Sequence, residues 1–421
     1  MSLGWTASGV NGPIATDPAN NALWAMNKGS PQKLDELNAD SGTLMQQFSV
    51  PLDSQQHFPT PQVSSGWVII ESTDKVFAHQ TNGPGTWTSV VLDGLVQARP
   101  LVVGGSIVVV ATEGDSLYGL NLADGTFAWS TAGNKVNIGT PEPISESDQV
   151  SGVSSGCGDI NPLGITSNPV LDNGNVYAVG ERETGPSSPH TPEHVMVGVN
   201  PATGATTVGP VNIDVPAMTV VGTEQQRAGL VAAKNNVYIG FGGLAGDCGN
   251  YHGYVVAASE SDGHVVGSFE AAKISNAAAV WGTSGPVADS SGNVYATTGN
   301  SQPGNTAPDY SDGIVRLAAN MSGATTTPAD YFQPTTWVSD NANDWDLGST
   351  GPVLLPNGML FIAGKQNTAF LLNPSSLGGA NHMTPVGSLN LGAMAFGQNA
   401  AMNNSSVYVA LSSGMQQVKI S

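Results

Sequence analysis

Short apolar runs, separated by Gly, Asn and Asp, recur along the whole chain. The clearest set is Arg99-Pro100-Leu101-Val102-Val103, followed by Ser106–Thr112, Ser116–Leu122 and Thr126–Trp129. Alternation within the third run points Tyr118, Leu120 and Leu122 to one face, the period expected of a strand. Asn121 and Asp124-Gly125 supply a tight turn, because Gly tolerates a positive φ. No long stretch carries helical periodicity. The set predicts four short antiparallel strands, with Trp129 on the outer one and large enough to pack across to a neighbouring unit.

The same order returns eight times. The first strands open at Pro13, Pro61, Pro100, Pro169, Ala228, Pro286, Pro352 and Ala400. A four-stranded unit cannot bury both faces alone, so the units must stack, and a ring leaves no open end. The expected fold is all-β: one eight-bladed β-propeller of four-stranded antiparallel blades. It is a single domain over residues 1–421, with blades at about 13–48, 59–90, 98–130, 166–209, 227–269, 283–333, 349–385 and 397–421. The last unit stops after its third strand, so residues 4–9 are expected to complete it and close the ring. Long insertions at 131–165, 180–194, 242–253, 300–312 and 333–347 are where binding residues are expected.

Composition narrows the partners. Charged residues make up 10 % of the chain, and the formal net charge is −20 with 12 Lys and Arg. A negative field repels phosphate backbones, so no nucleic-acid partner is expected. No apolar run is long enough to span a membrane. Met1-Ser2-Leu3-Gly4-Trp5 carries no signal-peptide pattern. Even so, the two cysteines, Cys157 and Cys248, sit in Gly-rich loop sequence of a Lys-poor chain. That placement is expected of a disulfide in an exported protein, extracellular or periplasmic.

The pattern Gly119-x-Asn121-x-x-x-Gly125-x-x-x-Trp129 resembles the tryptophan-docking repeat A-x-D-x-x-x-G-x-x-x-W of quinoprotein dehydrogenases, with the Trp kept in place in one repeat only. Further blocks are similar to exported bacterial PQQ-like β-propeller repeat proteins, where PQQ is pyrroloquinoline quinone. They include Gly164–Val170, Val237–Gly242, Tyr251–Val255, Gly292–Asn300 and Asp344–Leu354. The resemblance implies an eight-bladed ring and does not imply the cofactor. The enzymes of that superfamily have adjacent cysteines, a calcium ion held by Glu and Asn or Asp, and an Asp base. This chain has no Cys-Cys pair, although Glu113 and Asp346 are candidate metal ligands. Asp344 and Asp346 also lie in a segment of alternating oxygen ligands suited to calcium. No elbow, phosphate loop or zinc motif of the common hydrolases and nucleotide enzymes is present.

Register supplies a candidate ligand site. The residue before each first strand is Gly12, Thr60, Arg99, Asn168, Arg227, Gly285, Gly351 and Asn399. Only four arginines exist, and two of them, Arg99 and Arg227, fall at this position, with Asn168 on the blade between. Arg recognises carboxylates in a bidentate way. Gln226, Trp281, Gln398 and Asn399 are expected to share the same channel mouth, with Trp281 able to stack on a planar ligand or a sugar ring. The alternative is that each Arg neutralises a nearby Asp or Glu or bonds carbonyls at the channel rim. The expected function is a non-enzymatic ligand-binding or interaction scaffold. Its partner would be a small anionic or carbohydrate ligand, or a protein at a loop face, with no cofactor. The runner-up is a PQQ- and calcium-dependent oxidoreductase acting on alcohols or sugars.

Overall fold

Most of the apolar runs become strands, and the strands sort into eight sheets. The computed structural model describes all residues except 11, 30, 51–57, 144–157, 186–190, 303–305, 307, 320, 322–326 and 404. In the third blade Leu101–Val103, Ile107–Thr112, Ser116–Asn121 and Lys135–Asn137 pair in that order, all antiparallel. The expected outer segment Thr126–Trp129 pairs only briefly, through the Leu120–Phe127 bridge and the Ala128 N–H on the Gly119 carbonyl, and the outer strand proper is Lys135–Asn137. The Trp129 ring turns onto the next blade, where its Nε1 meets the Pro201 carbonyl. Blade four carries a fifth short strand, Thr140–Pro141, on the second strand of its sheet.

The ring closes as expected. Ala400–Asn403, Ser406–Leu411 and Gly414–Lys419 form three strands of the eighth blade, and Ser2–Ser8 is the fourth, paired to Gly414–Lys419. Val10, Ile14, Leu23 and Ala25 then share a buried cluster with Tyr408, Ala410 and Met415, joining blades one and eight. Other clusters also lie between blades. Tyr177, Val179 and Met196 of blade four pack with Ile239, Phe241 and Tyr254 of blade five. Burying apolar surface only between neighbours is what makes stacking obligatory.

Three tryptophans lock adjacent blades in one geometry. The Nε1 groups of Trp5, Trp87 and Trp129 donate to the carbonyls of Ala39, Leu122 and Pro201 at 2.9, 2.8 and 2.8 Å. Each acceptor follows the Asn of an Asn-x-x-x-Gly turn in the next blade. The turn glycines Gly42, Gly125 and Gly204 have φ of 70°, 72° and 73°, and a Cβ on any of them would run into the docked ring. Only Gly meets both demands. The spacing rule catches Trp129 alone because Trp87 arrives one residue early and Trp5 comes from the opposite end of the chain.

In a four-stranded antiparallel blade, the second-to-third connection and the link to the next blade leave the same end. Insertions 180–194, 242–253 and 300–312 are second-to-third connections; 333–347 and the part of 131–165 beyond the outer strand Lys135–Asn137 are links between blades. The described parts of these connections therefore lie towards one face, with the one α-helix among the described residues, Trp337–Asn343. The opposite face is built mostly of short turns.

Candidate functional site

At the centre of the long-loop face lies a cavity of about 300 Å³. Phe58, from the start of blade two, and Trp281, from the start of blade six, both line it. Those blades stand opposite each other in a ring of eight, so the cavity spans the channel mouth. The rest of its wall comes from the insertions and blade openings, including Asp159, Asp247, Tyr251, Asn300, Asp344, Asp346 and Lys365.

Lys365 organises one side. Its Nζ lies 2.7 Å from Asp344 Oδ1 and 2.7 Å from Asp346 Oδ2, and 5.5 Å from the centre of the Trp281 ring. Burial pushes Asp346 up to about 6, with Lys365 opposing. Burial alone would lower Lys365, but Asp346 and Asp344 outweigh it and the ammonium is held above its usual range. On the other side Tyr251 donates to Asp247 Oδ1 at 2.6 Å, and its ring packs so closely on Gly243 that no larger residue fits there.

Arg227 lines the same cavity and is 7 % exposed. Its Nη1 donates to the Thr166 carbonyl at 2.6 Å. Burial lowers Arg227 to about 10 against the pull of Glu71, Asp159 and Glu113. Burial in turn pushes Glu71 up to about 8 and Glu113 up to about 7. Four carboxylates and two cations line the cavity, so its balance is acidic.

The register argument therefore brings Arg227 and Trp281 to the cavity. Asp344 and Asp346 join them, bracketing a lysine ammonium. The remaining candidates are not among the lining residues. Asn168 accepts from the Arg99 N–H at 2.7 Å and donates to the Thr283 carbonyl at 3.0 Å, tying inner strands together. Arg99 is half-buried and feels Glu71. Gln226 donates to the carbonyls of Ala228 and Gly240. Gln398 gives its carbonyl to the Ile14 N–H, and Asn399 is buried with neither amide atom hydrogen-bonded. Among the described residues no group of three or more His, Cys, Asp or Glu is arranged to hold a metal. Cys157 lies outside the described residues. Asp247, Tyr251 and Asn300 fall in the insertions 242–253 and 300–312 where binding residues are expected, without being named one by one, and Lys365 lies outside them. The rarity of Lys, 8 in the chain, was the one available signal for Lys365.

The comparisons agree on the architecture. Residues 14–157, about a third of the chain, match the family of the outer membrane protein assembly factor BamB. No curated protein matches the sequence. BamB from Moraxella catarrhalis is similar over 100 % of this chain and 99 % of its own, with 13 % identity and a TM-score of 0.54. A europium-containing methanol dehydrogenase is similar over 99 % of this chain and 85 % of its own, with 12 % identity and a TM-score of 0.61. The computationally designed Ika8 protein matches at 10 % identity over 99 % and 98 %, with a TM-score of 0.59. At these identities what is shared is the fold. The chain has the eight-bladed propeller of the PQQ-like repeat proteins, a fold used both by an assembly factor and by dehydrogenases.

Proposed function

We propose that this chain is a non-enzymatic binding propeller that takes a neutral, hydroxyl-rich ring, a carbohydrate, in the cavity of the long-loop face. The observation that carries the reading is Trp281 beside an ion-paired Lys365 in a cavity with more carboxylates than cations. An aromatic face suits the apolar face of a sugar, and carboxylates accept its hydroxyls. A small anion is disfavoured, since Lys365 already serves two carboxylates and the surplus charge is negative. A panel of immobilised mono- to hexasaccharides, followed by calorimetry on the hits, tests the reading. Binding is expected for the intact chain and is lost in Trp281→Ala.

The runner-up, PQQ with calcium, draws support from Trp281 and Lys365 together and from the likeness to a dehydrogenase. The lining fits it poorly. PQQ brings three carboxylates to a wall that already has a surplus of two, Asp346 is committed to Lys365, and the chain has no adjacent cysteines. Saturable PQQ binding in the presence of Ca²⁺, with no member of the sugar panel bound, would replace the first reading by this one.

Export and a Cys157–Cys248 disulfide belong to the same proposal. No cysteine among the described residues is free. The Gly158 N–H, next to Cys157 in the chain, bonds the Ala245 carbonyl at 2.9 Å, and Ala245 lies on the cavity loop just before Cys248. The disulfide would tie the Asp159 and Asp247 sides of the wall together.

A further inference from the structure

The chain has 8 tryptophans. Trp5, Trp87 and Trp129 lock blades together, Trp24 and Trp337 are buried, Trp67 is half-buried, and Trp281 lines the cavity. Trp345 differs from all of them. It is 41 % exposed, and among the described residues no other Trp, Tyr or Phe is exposed. Exposing an indole forgoes its burial free energy, so its place in the fold matters.

That place is the cavity rim. The residues on either side, Asp344 and Asp346, both line the cavity. The segment is held at several points. Asp344 ends the Trp337–Asn343 helix in a left-handed conformation with φ 55°. The Trp345 N–H bonds the Asp340 carbonyl at 3.1 Å, and Lys365 clamps the segment through both flanking carboxylates and through its own N–H to the Asp346 carbonyl at 2.9 Å. Trp345 is therefore an exposed indole on an immobilised backbone. Little ordering entropy remains to be lost when something packs on it.

We infer that Trp345 is a second stacking platform outside the cavity, so that the site takes an oligosaccharide. One ring lies over Trp281 and a following ring lies against Trp345. This rests on the carbohydrate reading of the cavity and adds chain length to it.

The test is calorimetry of glucose, cellobiose and cellotetraose, together with the mono- to hexasaccharide series of the best panel hit. The intact chain, Trp345→Ala and Trp345→Phe are compared, with thermal melts confirming that each folds. The single sugar should bind the intact chain and Trp345→Ala alike. The longer members should bind the intact chain more tightly, and Trp345→Ala should lose about tenfold for them, equivalent to about 1.4 kcal/mol. Trp345→Phe should recover much of that loss. Equal affinity for all lengths, or an equal loss for single sugar and oligomer, would overturn this inference and leave the cavity reading standing. Failure of every sugar to bind the intact chain would remove the cavity reading and this inference with it.

Discussion

Blades one to three and blades five to seven do different work. The first group is regular. It accepts two of the three Trp locks and sends the third on to blade four, and it lies within the stretch matched to the BamB family. The second group gives up the Trp locks. Val211 of blade four, not a tryptophan, sits against Gly263 of blade five. In exchange it carries three of the five long insertions and most of the cavity wall. Repeat regularity and site chemistry are thus segregated around the ring. A family match confined to the regular part informs about the scaffold and says little about the ligand.

The sharpest way to break this division is to remove a lock. Trp129→Ala deletes a 2 % exposed side chain docked between Gly119 and Gly204. It should cost about 3–5 kcal/mol in denaturant unfolding. Sugar affinity of the folded fraction should be unchanged. A loss under about 1 kcal/mol would show that the lock does not hold the scaffold.

Next in size is the proposed Cys157–Cys248 link, which would bind the two sides of the cavity wall. Reduction, or Cys248→Ser, should lower stability by about 2–4 kcal/mol and weaken ligand binding as well. Thiol labelling of the denatured, unreduced chain should find no free thiol. Two labelled cysteines would contradict the link.

Stability should also depend on pH, in one direction. Burial holds the folded carboxyls of Asp346, Glu113 and Glu71 up to about 6, 7 and 8. Their unfolded values are about 4. In between, the folded chain keeps protons the unfolded chain has released. Their contribution is therefore full below pH of about 4 and is lost as pH rises through about 6 to 8, by about 1.4 kcal/mol per pH unit for each group still protonated. Unfolding midpoints measured from pH 5 to 8.5 should fall, and Glu71→Gln should flatten the upper part of the slope. A rising profile would contradict the burial assigned to these groups.

The smallest stability effect is expected at the site itself. Trp281→Ala should change unfolding free energy by no more than about 1 kcal/mol, because the ring is half-buried at a cavity wall. Binding should nevertheless be lost. A Trp281→Ala chain as unstable as Trp129→Ala would make Trp281 another lock.

The sequence made the ring legible because a repeat states the same local physics eight times. Apolar alternation, Asn-x-x-x-Gly turns and the missing last strand each follow from neighbouring residues. The site was legible only in part. Register brought Arg227 and Trp281 to one cavity because equivalent positions in a ring share an axis. It also drew in Arg99 and Asn168, whose contacts hold inner strands. Lys365 was hidden because its partners sit in a different connection of the chain, and Tyr251 because insertion lengths vary from blade to blade. Phe58 and Trp281 line one cavity from opposite blades, a juxtaposition that no local pattern encodes.

The most direct measurement is a crystal structure of the chain soaked with the tightest-binding sugar of the panel. The account predicts a sugar ring packed on Trp281, with hydroxyls donating to carboxylates of the cavity wall. A sugar bound at the short-turn face or on an outer strand, with the Trp281 cavity unchanged, would contradict it.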